Sequence, residues 1–112
     1  MTRIVIRREG DRITALKAQG HAGNAAAGEN IVCAAVSSLM YTAINAMESV
    51  AGVLPAVDKD DRKALINITL PEDCESHEAQ IIFRTIVQGL TDISQEYPKW
   101  VTITTQDGRT LK

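Results

Sequence analysis

The chain has 112 residues, 45% of them hydrophobic and 23% charged, which suits one domain over residues 1–112 that buries roughly two thirds of its unfolded surface. Twelve Lys and Arg against fourteen Asp and Glu leave a net charge of -2, so a basic module gripping nucleic acid is not the default and no stable nucleic-acid binding is expected. Two cysteines exclude a disulfide-dense secreted scaffold, and no run reads as a bilayer span or a signal peptide, so a cytoplasmic protein without membrane contact is predicted.

Arg3 to Arg8 is short and β-branched, which predicts a strand. Glu9, Gly10 and Asp11 supply a turn, and Arg12 to Gln19 alternates as a second strand. In it Ile13, Ala15 and Lys17 face one way, and Thr14, Leu16 and Ala18 the other. Gly20 to Asn30 is rich in glycine and small side chains and reads as a surface loop, the kind of segment that can close over a site without dragging core residues along.

From Ile31 to about Val50 a helical period takes over, with Val36, Leu39, Met40, Ala43, Ile44, Met47 and Val50 at three- and four-residue steps. Asn30 is the predicted N-cap, and Gly52 and Pro55 stop the helix. Asp58 to Lys63 reads as a solvated, charged connection, and Ala64 to Leu70 as a third strand.

Pro71, Glu72 and Asp73 are expected to open a second helix, with Asp73, Glu75 and Glu78 suited to its amide-rich start. Its apolar face is Ala79, Ile82, Phe83, Ile86, Leu90 and Ile93, and Pro98 ends it. Trp100 to Thr105 is a fourth strand, followed by a turn at Asp107 and Gly108. The predicted fold is therefore α+β in the order β-β-α-β-α-β, two helices packed on a mostly antiparallel four-stranded sheet. Val, Ile and Leu side chains left on the other sheet face would be buried in a dimer.

Four side chains invite chemistry. With Asn30 as N-cap, Cys33 stands in the first turn of the long helix, where unpaired amides and the helix dipole favour a thiolate and can receive an oxyanion. The plain alternative is a small buried hydrophobe among Val32, Ala34 and Ala35. His21, twelve residues earlier, is either a general base for Cys33 or a surface histidine at a strand end. Cys74 and His77 form a second pair three residues apart, but the acidic run around them disfavours a thiolate. A zinc site joining all four lacks the tight spacing that zinc ligands show.

Ser37, four residues after Cys33, shares its helix face, and Asn30 or Glu29 either orients the histidine or, more simply, caps the helix or meets solvent. Arg3, Arg7, Arg8 and Arg12 make a basic hairpin that is either solvated or a docking patch. No metal or organic cofactor is implied.

The blocks Gly20-His21-Ala22-Gly23 and Gly28-Glu29-Asn30-Ile31-Val32-Cys33-Ala34-Ala35-Val36-Ser37 resemble the ribosomal-processing cysteine protease family, Prp, and the similarity extends along essentially the whole chain. The resemblance implies a homodimeric cysteine endopeptidase that removes a short N-terminal extension from the precursor of ribosomal protein L27. It implies Cys33 as nucleophile, His21 as general base, the Gly23 to Gly28 segment as a moving flap with Gly20 and Ala22 at its base, and Ser37 as a match to a serine of the family's helix. The chain departs from the family at Asn30, where Asp is usual. An amide caps a helix as well as a carboxylate but cannot stabilise an imidazolium by charge. The competing function is a non-catalytic ribosome- or RNA-associated binding protein that uses the basic hairpin and keeps Cys33 as core packing.

Overall fold

A computed structural model describes residues 1–20 and 27–107, and the side chains of 27–30 are not part of that description. The element order is β1 (Thr2–Glu9), β2 (Arg12–Gln19), α1 (Ala27–Ser49), β3 (Ala56–Asp60), β4 (Leu65–Thr69), α2 (His77–Glu96) and β5 (Val101–Asp107). The strands form one five-stranded sheet in the order β3-β4-β2-β1-β5. The fold is α+β with order β-β-α-β-β-α-β, which corrects the four-stranded β-β-α-β-α-β expectation.

The missing strand is β3, whose last three residues, Asp58 to Asp60, open what read as a charged connection. It pairs antiparallel with β4 and is the edge strand of the sheet among the described residues, with four of its five side chains exposed, so they need no apolar alternation. Charges on such an edge also discourage pairing with other chains. The sheet is mixed: β1 and β5 run parallel, from Thr2 opposite Val101 to Arg8 opposite Asp107. A strand-helix-strand connection reverses the chain twice, so β5 must run in the same direction as β4, and β4 already runs with β1.

The β1–β2 hairpin carries a bulge. Arg7 pairs with Ala15 and Arg8 with Ile13, leaving Thr14 as the extra residue. The bulge switches the phase of the strand, so Ile13 joins Leu16 and Ala18 in the core rather than facing the opposite way as strict alternation predicts. The Gln80 amide of α2 holds Ile13 in place, accepting from its N–H at 2.8 Å and donating to its carbonyl at 2.9 Å. Replacing Gln80 by Ala strands two part-buried backbone groups. We expect a loss of about 1–3 kcal/mol, read as a lower urea midpoint with an unchanged slope.

Both helices lie on one face of the sheet. α1 buries Val32, Val36, Met40, Ala43 and Met47, and α2 buries Ala79, Phe83, Ile86 and Leu90 against Ile4, Ile6, Leu16, Ile66 and Ile68. Each such side chain larger than alanine contributes on the order of 1.5–3 kcal/mol by leaving water. Residues Ile31–Ser49 of α1 are, by length and composition alone, apolar enough to cross a membrane, contrary to the sequence expectation. Three of its residues, Met40, Ala43 and Met47, are nevertheless fully buried in the core.

Two helix starts also differ from expectation. α1 begins at Ala27, so Gly28, Glu29 and Asn30 belong to its first turn and Asn30 is not its cap. α2 begins at His77, because the Ser76 hydroxyl accepts from the Ala79 amide at 3.1 Å. Pro71 to Glu75 precede it as a turn closed by the Cys74 amide on the Pro71 carbonyl. Gly52, at φ +65°, ends α1 as its sequence suggests, and the Val53 amide returns to the Met47 carbonyl.

The open face of the sheet is polar. Arg3, Arg7, Lys17, Asn67, Thr102 and Thr104 alternate onto it, and its larger apolar side chains among the described residues are Val5 and Leu65. That composition does not provide the apolar face on which a dimer was expected.

Candidate active site

The ends of β1, β2, β3 and β4 meet the first half of α1 around a cleft of about 220 Å³. Cys33, Ser37 and Tyr41 all line it, as side chains four residues apart on a helix must if one of them does. Each step along that stripe is about 6 Å. Met40 and Ile66 form an apolar floor, while Lys59, Asp60 and Asp61 stand on the side of β3.

Cys33 is partly buried and unpaired with Cys74. Its Sγ lies 3.6 Å from the Thr2 Oγ1, and the Thr2 hydroxyl is 3.2 Å from the Gly20 carbonyl. Gly20 is where the chain leaves the sheet. Its φ is +98°, its amide donates to the Ala64 carbonyl, and a Cβ there would stand 2.6 Å from the Met1 carbonyl oxygen. Only glycine fits that junction. The Thr2 amide is fixed in turn by the Trp100 carbonyl at 2.7 Å, next to the stacked rings of Tyr97 and Trp100. Trp100 therefore anchors the start of β1, and it precedes β5 rather than lying in it.

The rim is polar and internally paired. The Lys59 ammonium sits 5.2 Å above the Tyr41 ring and 3.8 Å from an Asp61 carboxylate oxygen. The neighbouring Tyr41, reinforced by the charge of Asp61, raises the Lys59 pKa above the ordinary lysine value. Asp60 is engaged as a turn cap, accepting from the amides of Arg62 and Lys63.

The predicted residues fare unevenly. Cys33, Ser37 and Gly20 come together in the cleft. His21, Ala22 and Gly23 lie outside the described residues, with His21 following Gly20 directly in the chain. Gly28, expected in the flap, and Glu29 and Asn30 are helical in backbone. Because α1 includes the six residues before Cys33, the amides its ladder leaves unpaired are not at Cys33, which stands past the first turn where the dipole would favour a thiolate.

Cys74 and His77 are elsewhere: the Cys74 carbonyl accepts from Arg12 at the far end of the hairpin, on the order of 20 Å from the Thr2 end. Cys33 and Cys74 cannot share a metal, and among the described residues no group of three or more His, Cys, Asp or Glu could hold one. The basic hairpin is divided as well. Arg3 and Arg7 face the open side, Arg8 pairs with Asp11 at 3.8 Å, and Arg12 is spent on Cys74.

Thr2, Tyr41 and Lys59 were missed. Tyr41 was findable as the residue eight after Cys33, but nothing local marks Thr2 or Lys59.

The family model for the cysteine protease Prp matches residues 1–102. The ribosomal-processing cysteine protease Prp of Staphylococcus aureus is 31% identical over 94 residues, covering 84% of this chain and 87% of that protein. Among solved structures, the S. aureus protease in complex with a substrate peptide superposes with a TM-score of 0.87 at 25% identity, covering 95% of this chain and all of that one. The same protease with a covalently linked product peptide gives 0.84 at 26% identity and the same coverage.

Proposed function

The chain belongs to the Prp family of cysteine proteases, and from that membership we propose that it removes the N-terminal extension of the ribosomal protein L27 precursor, with Cys33 as nucleophile and His21 as general base. It is a cysteine-type protease acting on a peptide. The observation that carries the residue assignment is that Cys33 lines the same cleft as Gly20, the residue that precedes His21, with the Thr2 hydroxyl between the sulfur and the Gly20 carbonyl.

In this reading His21 takes the thiol proton and the thiolate attacks the scissile carbonyl. His21 then returns the proton to the leaving amine, and water hydrolyses the thioester. The peptide lies extended along the Cys33, Ser37 and Tyr41 stripe, whose length of about 12 Å accommodates three to four residues. The Ser37 hydroxyl donates to a substrate carbonyl one turn from the thiolate. The cut needs no metal or organic cofactor.

The reaction belongs to the cytoplasm, where thiols stay reduced. The division of the hairpin arginines between two faces supports a protease over an RNA-binding module. The direct experiment is incubation with L27 carrying its extension, read by intact mass, beside the Cys33→Ala protein.

The active form is a homodimer. Its interface lies at the α1–β3 connection, where Val50, Leu54 and Val57 are 67%, 73% and 41% exposed. Leu54→Glu is expected to sediment as a monomer where the unaltered protein sediments as a dimer. An undiminished dimer would assign the interface to another surface.

A further inference from the structure

We propose that Thr2 is a positioning residue for the nucleophile, holding the Cys33 thiol while it is protonated and donating to it once it is a thiolate. The proposal rests on the assignment of Cys33 above. Thr2 is 4% exposed, the one buried polar residue of the described chain, and its hydroxyl stands between the Gly20 carbonyl at 3.2 Å and the Cys33 sulfur at 3.6 Å.

A hydroxyl carries one hydrogen and two lone pairs, and a carbonyl can only accept. The arrangement that satisfies all three groups has Thr2 donating to Gly20 and the Cys33 S–H donating to Thr2. When the base takes the Cys33 proton, the sulfur can only accept. The Thr2 hydrogen then turns about the Cβ–Oγ1 bond from the carbonyl to the thiolate. A hydrogen bond to an ionised acceptor is stronger than one to a neutral carbonyl, so the turn favours the reactive form. No covalent bond of Thr2 changes, and the only proton transferred is the one that passes from Cys33 to the base.

The same turn frees the Gly20 carbonyl at the point where the chain departs toward His21. The β-branched side chain restricts χ1, and the Thr2 amide is tied to Trp100, so the hydroxyl has little freedom to drift away.

The test compares unaltered protein, Thr2→Val and Thr2→Ser. It measures kcat and KM on a peptide substrate and the rate at which iodoacetamide alkylates Cys33, with peptide mapping to separate Cys33 from Cys74. Thr2→Val is close to isosteric and keeps the backbone bond to Trp100. We expect kcat and the alkylation rate each to fall about tenfold with KM unchanged, and Thr2→Ser to restore both to within about threefold.

Thr2→Val with unaltered kcat and alkylation overturns the proposal. So does a fall in kcat without slower alkylation, or without rescue by serine, since that would mark a packing role. If Thr2→Val does not fold, Thr2→Ala with the serine variant gives the same comparison. Cutting that survives Cys33→Ala bears on the nucleophile assignment instead and is read in its own arm, because alkylation reports on Thr2 whether or not the protein cuts.

Discussion

Cys33→Ala is expected to abolish peptide cleavage, with a loss of at least about a thousandfold in kcat, while the protein stays folded. Removing a covalent nucleophile leaves only binding and whatever polarisation the cleft provides, and in comparable enzymes that residue of activity is small. Structurally the change is mild. Cys33 is partly exposed, alanine keeps the Cβ and the helix propensity of α1, and among the described residues the polar contact of the sulfur is with Thr2. A thermal melt should therefore move by only a few degrees. Cleavage above a tenth of the unaltered rate would place the nucleophile elsewhere, and a collapsed melt would return Cys33 to the role of core packing.

The second large effect is predicted for a residue with no chemistry of its own. Gly20→Ala should destabilise the protein by about 2–4 kcal/mol and cost at least about tenfold in cleavage. Its Cβ would meet backbone, the Met1 carbonyl at 2.6 Å, and not the yielding end of a side chain. The backbone would also have to hold φ +98° with a side chain attached. Relief requires moving the first residues of β1 away from the end of β2. That motion carries Thr2 from Cys33 and disturbs the Gly20 bond to Ala64, so stability and activity fall together. A urea melt and an intact-mass cleavage assay on the same preparation check both; normal stability with normal cleavage would mean the junction tolerates a methyl group. Gly89 makes a useful contrast. A Cβ there meets the Leu39 side chain at 3.0 Å, an atom that can swing aside.

Much of this was legible beforehand, for reasons that differ by element. The long helix and its stop at Gly52 are local facts, because periodicity and the positive φ that glycine permits act within a few residues. The hairpin was legible from a turn flanked by β-branched residues, yet its bulge at Thr14 was not, because nothing in the alternation signals an extra residue that Gln80 on another element stabilises. β3 escaped because an edge strand made of Ala, Val, Asp, Lys and Asp has no apolar pattern, and its pairing with β4 is made by backbone. The early start of α1 escaped because Ala27 to Asn30 carries no apolar period, and the capping preference of Asn30 suggested a boundary that the helix overruns.

The sequence by itself determined the family, the two helices, the strands with apolar alternation and the choice of Cys33, Ser37 and Gly20 as residues to watch. The family rests on the resemblance of the Gly20 to Gly23 and Gly28 to Ser37 blocks, and the rest on short-range patterns of side-chain size, charge and spacing, which survive without knowledge of what lies opposite. Only the tertiary structure decided that β5 lies parallel to β1, that a charged segment is the sheet edge, and that Thr2, Tyr41 and Lys59 meet Cys33 at one cleft. Thr2 and Cys33 stand thirty-one residues apart and touch because the sheet brings the start of β1 under the first turns of α1. Such contacts come from the packing of whole elements, and no local preference records which distant element will be the neighbour.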